Sequence, residues 1–584
     1  IRIRNTHKIT IKIIRYSERI FMKIVIVGGV AGGATAAARI RRLDEQAQII
    51  VFERSGYVSY ANCGLPYYIG DVITDPEALT LQTPESFFKR FRVTMKVHHE
   101  VTALHPEKKT VSVKNLTTGE VFEESYDKLI LSPGAKPTQP KLPGIDMEKV
   151  FTLRTVEDTF RLKKYIETKK PTSAVLAGGG FIGLELAENL KDLGIDVTIV
   201  QRPKQLMNPF DADMASFIHN EMRKHGVKLL LGRTVEGFEE KGETIRVLLK
   251  DEQPLHADLV VLAIGVTPDT HLAKEAGLQL GIKDSIVVND RMETSIPDIY
   301  AAGDAVMVKH YVTGQDALIS LAGPANKQGR IIADNICGGD SHYLGSQGSS
   351  VIKVFDLTAA TTGINEINAR KAGLDVDTVI LSPMNHAGYY PGGKVMTMKV
   401  VFEKNTYRLL GAQIVGYEGV DKRIDVLSTA IHANLKATSL QDLDLAYAPP
   451  YSSAKDPVNM AGFMIDNIAN GILKQWHLSD LTSILQDSNA TLLDVRTISE
   501  YAHSHIEGFK NIPVDELRDH LSEIEKDKPV YVICQSGLRS YIATRILSQN
   551  GYDAYNFAGG FRFYEAVMHD RSLVEKETAC GMDL

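Results

Sequence analysis

Short apolar runs alternate with glycine turns and helical stretches along most of this chain. Lys23–Val27 is a β-branched run. It is followed by Gly28-Gly29-Val30-Ala31-Gly32-Gly33, an Ala-rich helical stretch to about Leu43, and a second apolar run at 49–52. Runs of this length bounded by glycine predict buried strands, and the Ala-rich segment predicts a crossover helix. The pattern returns at 174–176, with Gly178-Gly179-Gly180-Phe181-Ile182-Gly183, a helix to Leu193 and a strand at 197–200. A third segment, TSIPDIYAAGDA at 294–305, predicts a turn, a strand over 299–302 and a helix opened by Gly303 and Asp304. From about Gly345 strands and helices mix, ending in a helix over 421–433. Beyond 471–479 a new unit begins, with a strand from Thr491 that ends in Asp494 and Arg496. Val530–Ile533 is then a buried strand feeding Cys534 and a further helix.

Length adds that 584 residues exceed one core, so three to five domain-sized units are expected. A net charge of −6 offers no basic face for nucleic acid, and no run of about 18 apolar residues predicts a membrane span. Cys63, Cys337, Cys534 and Cys580 are too widely spaced for a disulfide scaffold or a zinc site, so no metal is expected. That usage fits a reducing cytoplasm. Residues 1–21 are basic, lack a secretory apolar core and stop before Met22, and are read as a non-native or disordered extension.

The two glycine turns stand in the context that dinucleotide chemistry needs: strand, turn, helix, strand and a polar residue at the second strand's end. In the first, Gly28 permits the tight turn and Gly32 and Gly33 allow close helix–strand packing. The helix N-terminus faces a pyrophosphate, and Glu53 accepts from ribose hydroxyls. Val30 stands where a central glycine is usual. In the second, Gly178, Gly180 and Gly183 are all present, while Gln201 and Arg202 stand at the acid position. That pair removes the repulsion of a 2′-phosphate and supplies a guanidinium, which favours NADPH, or tolerance of both NADPH and NADH.

Two dinucleotide folds followed by the Gly303-Asp304 segment resemble the flavoprotein disulfide reductase superfamily from Met22 to about Ile468. The resemblance implies an α/β architecture: two Rossmann-like domains for FAD and NAD(P)H, an α+β dimerisation domain and a homodimer. It places FAD on 22–150 and 269–343, the nicotinamide nucleotide on 151–268, and dimerisation on 344–470. Gly28, Gly32, Gly33, Glu53, Gly303 and Asp304 are thereby assigned to FAD. The stretch SYANCGLPYYIG holds Cys63 beside Asn62 with no second cysteine nearby. It is similar to coenzyme A disulfide reductases and their persulfide-reductase and NADH-oxidase relatives. A lone thiol must find its sulfur partner outside the chain. The resemblance implies hydride transfer from nicotinamide to FAD, and electron delivery from reduced flavin to the sulfur on Cys63. It also implies that Tyr389 and Tyr447, in NHAGYYPG and AYAPPYS, reach the partner subunit's thiol, with Tyr451 and Lys455 as neighbouring candidates. Arg39 and Arg42 become contacts for coenzyme A phosphates, with Lys89 and Arg90 as further options.

LLDVR, HIEG, NIPV and a Cys-x-x-Gly-x-Arg loop resemble a rhodanese domain over 478–574. Backbone N–H groups of 535–539 would encircle Cys534 and stabilise a thiolate or persulfide, with Arg539 adding charge. Cys337 reads as structural, and Cys580 lies in the tail. The combined expectation is a coenzyme A disulfide or coenzyme A persulfide (polysulfide) reductase with a sulfur-carrying appendage. A Cys63 sulfenate NADH oxidase and a non-catalytic redox-regulatory or sulfur-delivery protein are the alternatives.

Overall fold

The computed structural model describes residues 21–579, with side chains described through Val574. Residues 1–20 of the N-terminal extension and Cys580 lie outside the described residues. The first nucleotide fold is a five-stranded parallel sheet in the order Ile299–Ala301, Lys128–Leu131, Lys23–Val27, Gln48–Phe52, Thr94–Lys96. Its outer strand arrives only after the chain has built the second fold, so the two are interleaved in sequence. The helix Ala31–Leu43 lies against the helix Ala322–Ile336 through small residues. A Cβ at Gly329 would stand 2.3 Å from the Gly32 carbonyl oxygen.

The second fold repeats the design in the order Val150–Thr152, Leu259–Leu262, Ser173–Ala177, Asp196–Gln201, Lys228–Leu231, again all parallel. Gly28 and Gly178 carry φ of +97° and +117° at equivalent turns, and a Cβ on either would strike a backbone carbonyl at 2.1 or 2.2 Å. Only glycine holds that conformation without strain. One helical turn later, Gly33 and Gly183 would meet the carbonyls of Gly28 and Gly178 at 2.0 and 2.2 Å, so helix and turn touch directly.

The third unit is an antiparallel sheet in the order Ser350–Val354, Leu357–Gly363, Leu409–Gly416, Thr397–Glu403, Val376–Leu381. It docks on the second fold through Lys399, whose buried ammonium meets Asp211 (3.1 Å), Asp213 (2.8 Å) and Glu366 (2.8 Å). The fourth is a parallel sheet in the order Gln475–Trp476, Ala554–Phe557, Val530–Ile533, Thr491–Asp494, Lys510–Asn511. Its Trp476, Phe557 and Phe563 share one apolar core with Phe210, Met214 and Ile218 of the second fold. Among the described residues no helix is long and apolar enough to cross a membrane.

One element departs from expectation. Gly303 and Asp304 open a single 3-10 turn, Gly303–Ala305, that passes into the strand Val306–Lys309 rather than a helix. The β-branched run after Ala305 pairs with Ile286–Val287 and Asp316–Ala317, and this pairing overrides helical continuation.

Candidate active site around Cys63 and a second thiol at Cys534

Cys63 sits in the 3-10 turn Asn62–Gly64, which runs into the short helix Leu65–Ile69 with Pro66 in its first turn. Leu65, Pro66 and Ile69 are buried while Cys63 is exposed, so the helix anchors the loop and leaves the sulfur accessible. The loop is tied to the first glycine turn by the Ser59 N–H, which donates to the Gly29 carbonyl at 2.9 Å. The Gly29 N–H in turn donates to Glu53 at 2.8 Å. Thiol loop, glycine turn and acidic residue form one connected unit. Beside the glycine turn and Glu53 opens a cavity of about 330 Å³, lined also by Arg54, His99 and Asp269.

Arg154, which sequence reasoning missed, joins the remaining parts. Its guanidinium meets Asp304 at 2.6 Å and donates to the Ala135 carbonyl at 3.2 Å. Asn62 completes a two-point contact: its amide donates to the Arg154 carbonyl (3.0 Å) and accepts from Nη1 (3.2 Å). Asn62, Cys63 and Asp304 are thus brought to one place by a residue with no motif around it.

The charges around Cys63 oppose one another. The protein packed about the thiol pushes its pKa up, Glu185 and Asp304 push the same way, and Arg154 pulls it down, with a net rise. Glu185 is itself pushed up to about 7 by burial, against a lowering bond from Tyr67, and with Glu188 adding to the rise. Tyr67 is pushed up to about 12, by burial first and then by Glu185. Both line a cavity of about 470 Å³ shared with Lys353, Tyr417 and Glu418.

Two opposite shifts in Cys63 reactivity result from these signs. Glu185→Gln removes a carboxylate that disfavours the thiolate, so the pH midpoint of Cys63 alkylation falls. A carboxyl raised from 4.5 to about 7 supports folding fully below about pH 4.5 and loses that contribution as pH rises through 7. The same substitution therefore also flattens stability over that window. Arg154→Met removes the favourable cation, so it raises the Cys63 pKa further and slows alkylation at neutral pH. Alkylation of Cys63 against pH, followed by peptide mass, checks both.

In the second fold Gln201 stands where Glu53 does in the first. Its side-chain oxygen accepts from the Gly179 N–H (3.0 Å) and its amide donates to the Gln205 carbonyl (3.3 Å), while Arg202 is exposed. A Cβ on Gly180 would meet nothing within 4 Å, so that face of the turn is open. Arg39 is engaged with Asp334 at 2.8 Å at the end of the first helix, while Arg42 is exposed.

Tyr389 and Tyr447 come from loops 58 residues apart, are both exposed, and share a hydroxyl–hydroxyl hydrogen bond of 2.6 Å. Arg423, 1 % exposed, holds the two loops together. It donates to the Asn385 carbonyl (2.8 Å), Ser452 Oγ (3.1 Å) and Asp456 (2.9 Å), and the Ala387 N–H donates to the Ser452 carbonyl (3.0 Å). Neither Arg423 nor Asp456 belongs to a recognisable sequence pattern.

Cys534 is buried at the end of its strand, ahead of the helix Leu538–Gln549. Gly537 N–H (3.1 Å) and Ser540 Oγ (3.2 Å) donate to its sulfur. Arg539 forms a two-pronged pair with Glu500 at 2.7 and 2.8 Å, which pulls that carboxyl down to about 2. Asp494 and Arg496, at the end of the neighbouring strand, form a buried ion pair. Cys337 caps the helix Ala322–Ile336 and is half-buried, with burial pushing its thiol up.

Residues 22–329 match the pyridine nucleotide-disulphide oxidoreductase family, 349–457 its dimerisation domain and 477–566 the rhodanese-like domain. A coenzyme A disulfide reductase of Staphylococcus aureus is 38% identical over 442 residues, which is 76% of this chain and 99% of that protein. The structure of reduced CoADR-RHD from Bacillus anthracis superposes with a TM-score of 0.92 at 49% identity, covering 94% of this chain and 99% of that one. A NAD-dependent persulfide reductase from A. fulgidus superposes with a TM-score of 0.87 at 37% identity, covering 93% and 100%. With both glycine turns, the thiol loop and the buried Cys534 in place, the chain belongs to the pyridine nucleotide-disulphide oxidoreductase family and carries a C-terminal rhodanese-like domain.

Proposed function

We propose that this chain is an NAD(P)H-dependent coenzyme A disulfide and coenzyme A persulfide (polysulfide) reductase, working as a homodimer. Cys63 is its redox thiol and Cys534 its sulfane-sulfur carrier. The observation that carries this reading is the solitary, exposed Cys63 bonded through its loop to a dinucleotide turn, in a chain that also buries Cys534 among sulfur-directed donors.

The residues present fit both cofactors. Gly28 and Gly178 hold tight turns at positive φ, the face of the second turn at Gly180 is open, and Glu53 and Gln201 stand at the ribose positions. FAD held by the first fold would take electrons from NAD(P)H on the second and supply them to a disulfide on Cys63. Gly28, Gly32, Gly33, Glu53, Gly303 and Asp304 would hold the flavin, while Gly178, Gly180, Gly183, Gln201 and Arg202 would hold the nicotinamide nucleotide. Gln201 and Arg202 favour acceptance of the 2′-phosphate.

On the chain's side, the Cys63 thiolate attacks the coenzyme A sulfur of a persulfide and expels hydrosulfide, leaving a Cys63–coenzyme A disulfide. Two electrons then break that S–S bond, restoring the Cys63 thiolate and releasing the coenzyme A thiolate. The attacking thiol's proton needs an acceptor and the departing thiolate a donor. Tyr389 and Tyr447 of the partner subunit supply a hydroxyl for that exchange. Arg154 and Asn62 orient the loop, and Arg39 and Arg42 offer charge to coenzyme A phosphates. At Cys534, the Gly537 N–H and Ser540 Oγ donate to the sulfur and hold it in place.

Turnover separates the two substrate classes. Cys534→Ala leaves coenzyme A disulfide reduction unchanged and lowers polysulfide reduction at limiting coenzyme A by about tenfold. Equal polysulfide rates in both proteins would remove Cys534 from the reductive cycle. Fast oxygen consumption without coenzyme A would instead mark an oxidase.

A further inference from the structure

The rhodanese-like domain reaches into the second nucleotide fold through one buried aspartate, Asp570, which meets a buried histidine there. Its last helix, Gly560–Ala579, lies along the helix Ala212–Lys224. Phe217 and Phe563 stack at 6.4 Å, and Asn220 donates to the Ala566 carbonyl at 2.9 Å. Between them Asp570 and His219 are 4 % and 1 % exposed. His219 Nδ1 lies 2.8 Å from Asp570 Oδ2, and Arg223 holds the other carboxylate oxygen at 2.5 Å.

The far side of the ring fixes its chemistry. His219 Nε2 lies 2.9 Å from the Leu206 backbone nitrogen, which can only donate. Nε2 therefore carries the lone pair, and the proton is on Nδ1, donated to Asp570. The carboxylate of one domain selects the tautomer that accepts from a backbone N–H of another. The same division of labour lets an outer carboxylate orient a metal-bound histidine.

Leu206 is part of the floor of the nucleotide turn. A Cβ on Gly179 would stand 2.2 Å from Leu206 Cδ2, so the leucine packs directly against that glycine. The Met207 N–H donates to the Gly179 carbonyl at 2.9 Å, and the Gly179 N–H donates to Gln201. Gln201 donates back to the Gln205 carbonyl, and Gln205 to the Phe210 carbonyl at 2.9 Å. Asp570, His219, Leu206, Gly179 and Gln201 form a continuous series of contacts from the rhodanese-like helix to the ribose position.

From this series we infer that Asp570 and His219 are positioning residues for the nicotinamide-nucleotide site, so that the docked rhodanese-like domain sets how tightly the reductase binds its electron donor. The inference rests on the reading that the second fold takes that nucleotide. Without Asp570 the Nδ1 proton has no fixed acceptor. The other tautomer would then set an N–H against the Leu206 N–H, and the loop under Gly179 loses its anchor.

The test uses the full-length, FAD-loaded chain with coenzyme A disulfide as acceptor. Asp570→Ala raises KM for NADPH and NADH about three- to tenfold and leaves kcat unchanged. His219→Gln, which keeps a polar side chain at the buried site, moves KM in the same direction and covers the case in which Asp570→Ala does not fold. Asn220→Ala removes a hydrogen bond across the same interface without touching the series, and leaves KM unchanged. Equal rises in Asn220→Ala and Asp570→Ala would overturn the inference in favour of loose docking, as would an unaltered KM in Asp570→Ala. Gly180→Asp sets a carboxylate into the open face of the turn, where it repels a pyrophosphate. If that substitution also leaves KM unchanged, the assignment of the nucleotide site itself falls; if it raises KM while Asp570→Ala does not, only the coupling falls.

Discussion

Cys63→Ser is expected to lower NAD(P)H-dependent reduction of coenzyme A disulfide and persulfide by three orders of magnitude or more, about the loss seen when a covalent nucleophile is removed. The expectation rests on Cys63 being the one exposed thiol among the described residues. Cys534 is buried in its own loop and Cys337 caps a helix, so neither is placed to replace it. Serine keeps the turn, because Asn62 and Gly64 hold the backbone and Leu65, Pro66 and Ile69 anchor the short helix after it. Flavin content should therefore match the parent protein, and reduction of the flavin by NADPH should persist in single-turnover absorbance. Loss of flavin reduction would show that the substitution damages the fold, and retained turnover would move the chemistry away from Cys63.

Lys399→Met is expected to destabilise the chain by about 3–5 kcal/mol, the cost of removing one partner from a buried ionic group. Lys399 is 1 % exposed, and Asp211, Asp213 and Glu366 converge on its ammonium. Those carboxylates raise its pKa against the opposing effect of burial, and the ammonium holds Glu366 below its ordinary value. Methionine fills much of the volume but leaves three carboxylates facing one another at the joint between the second fold and the antiparallel sheet. Chemical denaturation should show a lowered midpoint, part of which Glu366→Gln recovers in the double variant. Equal midpoints for Lys399→Met and the parent would show that the joint does not depend on this cluster.

What the sequence shows, and what it hides, divides by distance along the chain. Glycine turns, their flanking strands and the acid or amide at the next strand's end lie within about 25 residues, and their steric logic is readable locally. Gly33 packs on Gly28 while Glu53 accepts from the Gly29 N–H, and Gly183 packs on Gly178 while Gln201 accepts from the Gly179 N–H. The Cys534 loop is likewise local. Arg154 touches Asn62 and Asp304 across 92 and 150 residues, Arg423 gathers two loops, and His219 meets Asp570 across 351. Each is a lone polar residue on an ordinary helix or loop, and only the assembled fold gives it a partner. The expected helix after Gly303 failed for a related reason. Its local pattern fits a helix, but strand pairing with Ile286–Val287 decides the matter.

The central claim is that the missing second sulfur at Cys63 arrives on coenzyme A. Intact mass of the protein before and after a thiol reductant, with peptide mapping, tests it most directly. The predicted result is an adduct of one coenzyme A per chain, located at Cys63, released by reductant and absent from Cys63→Ser. A chain that gains no coenzyme A at Cys63 after exposure to coenzyme A disulfide would contradict it.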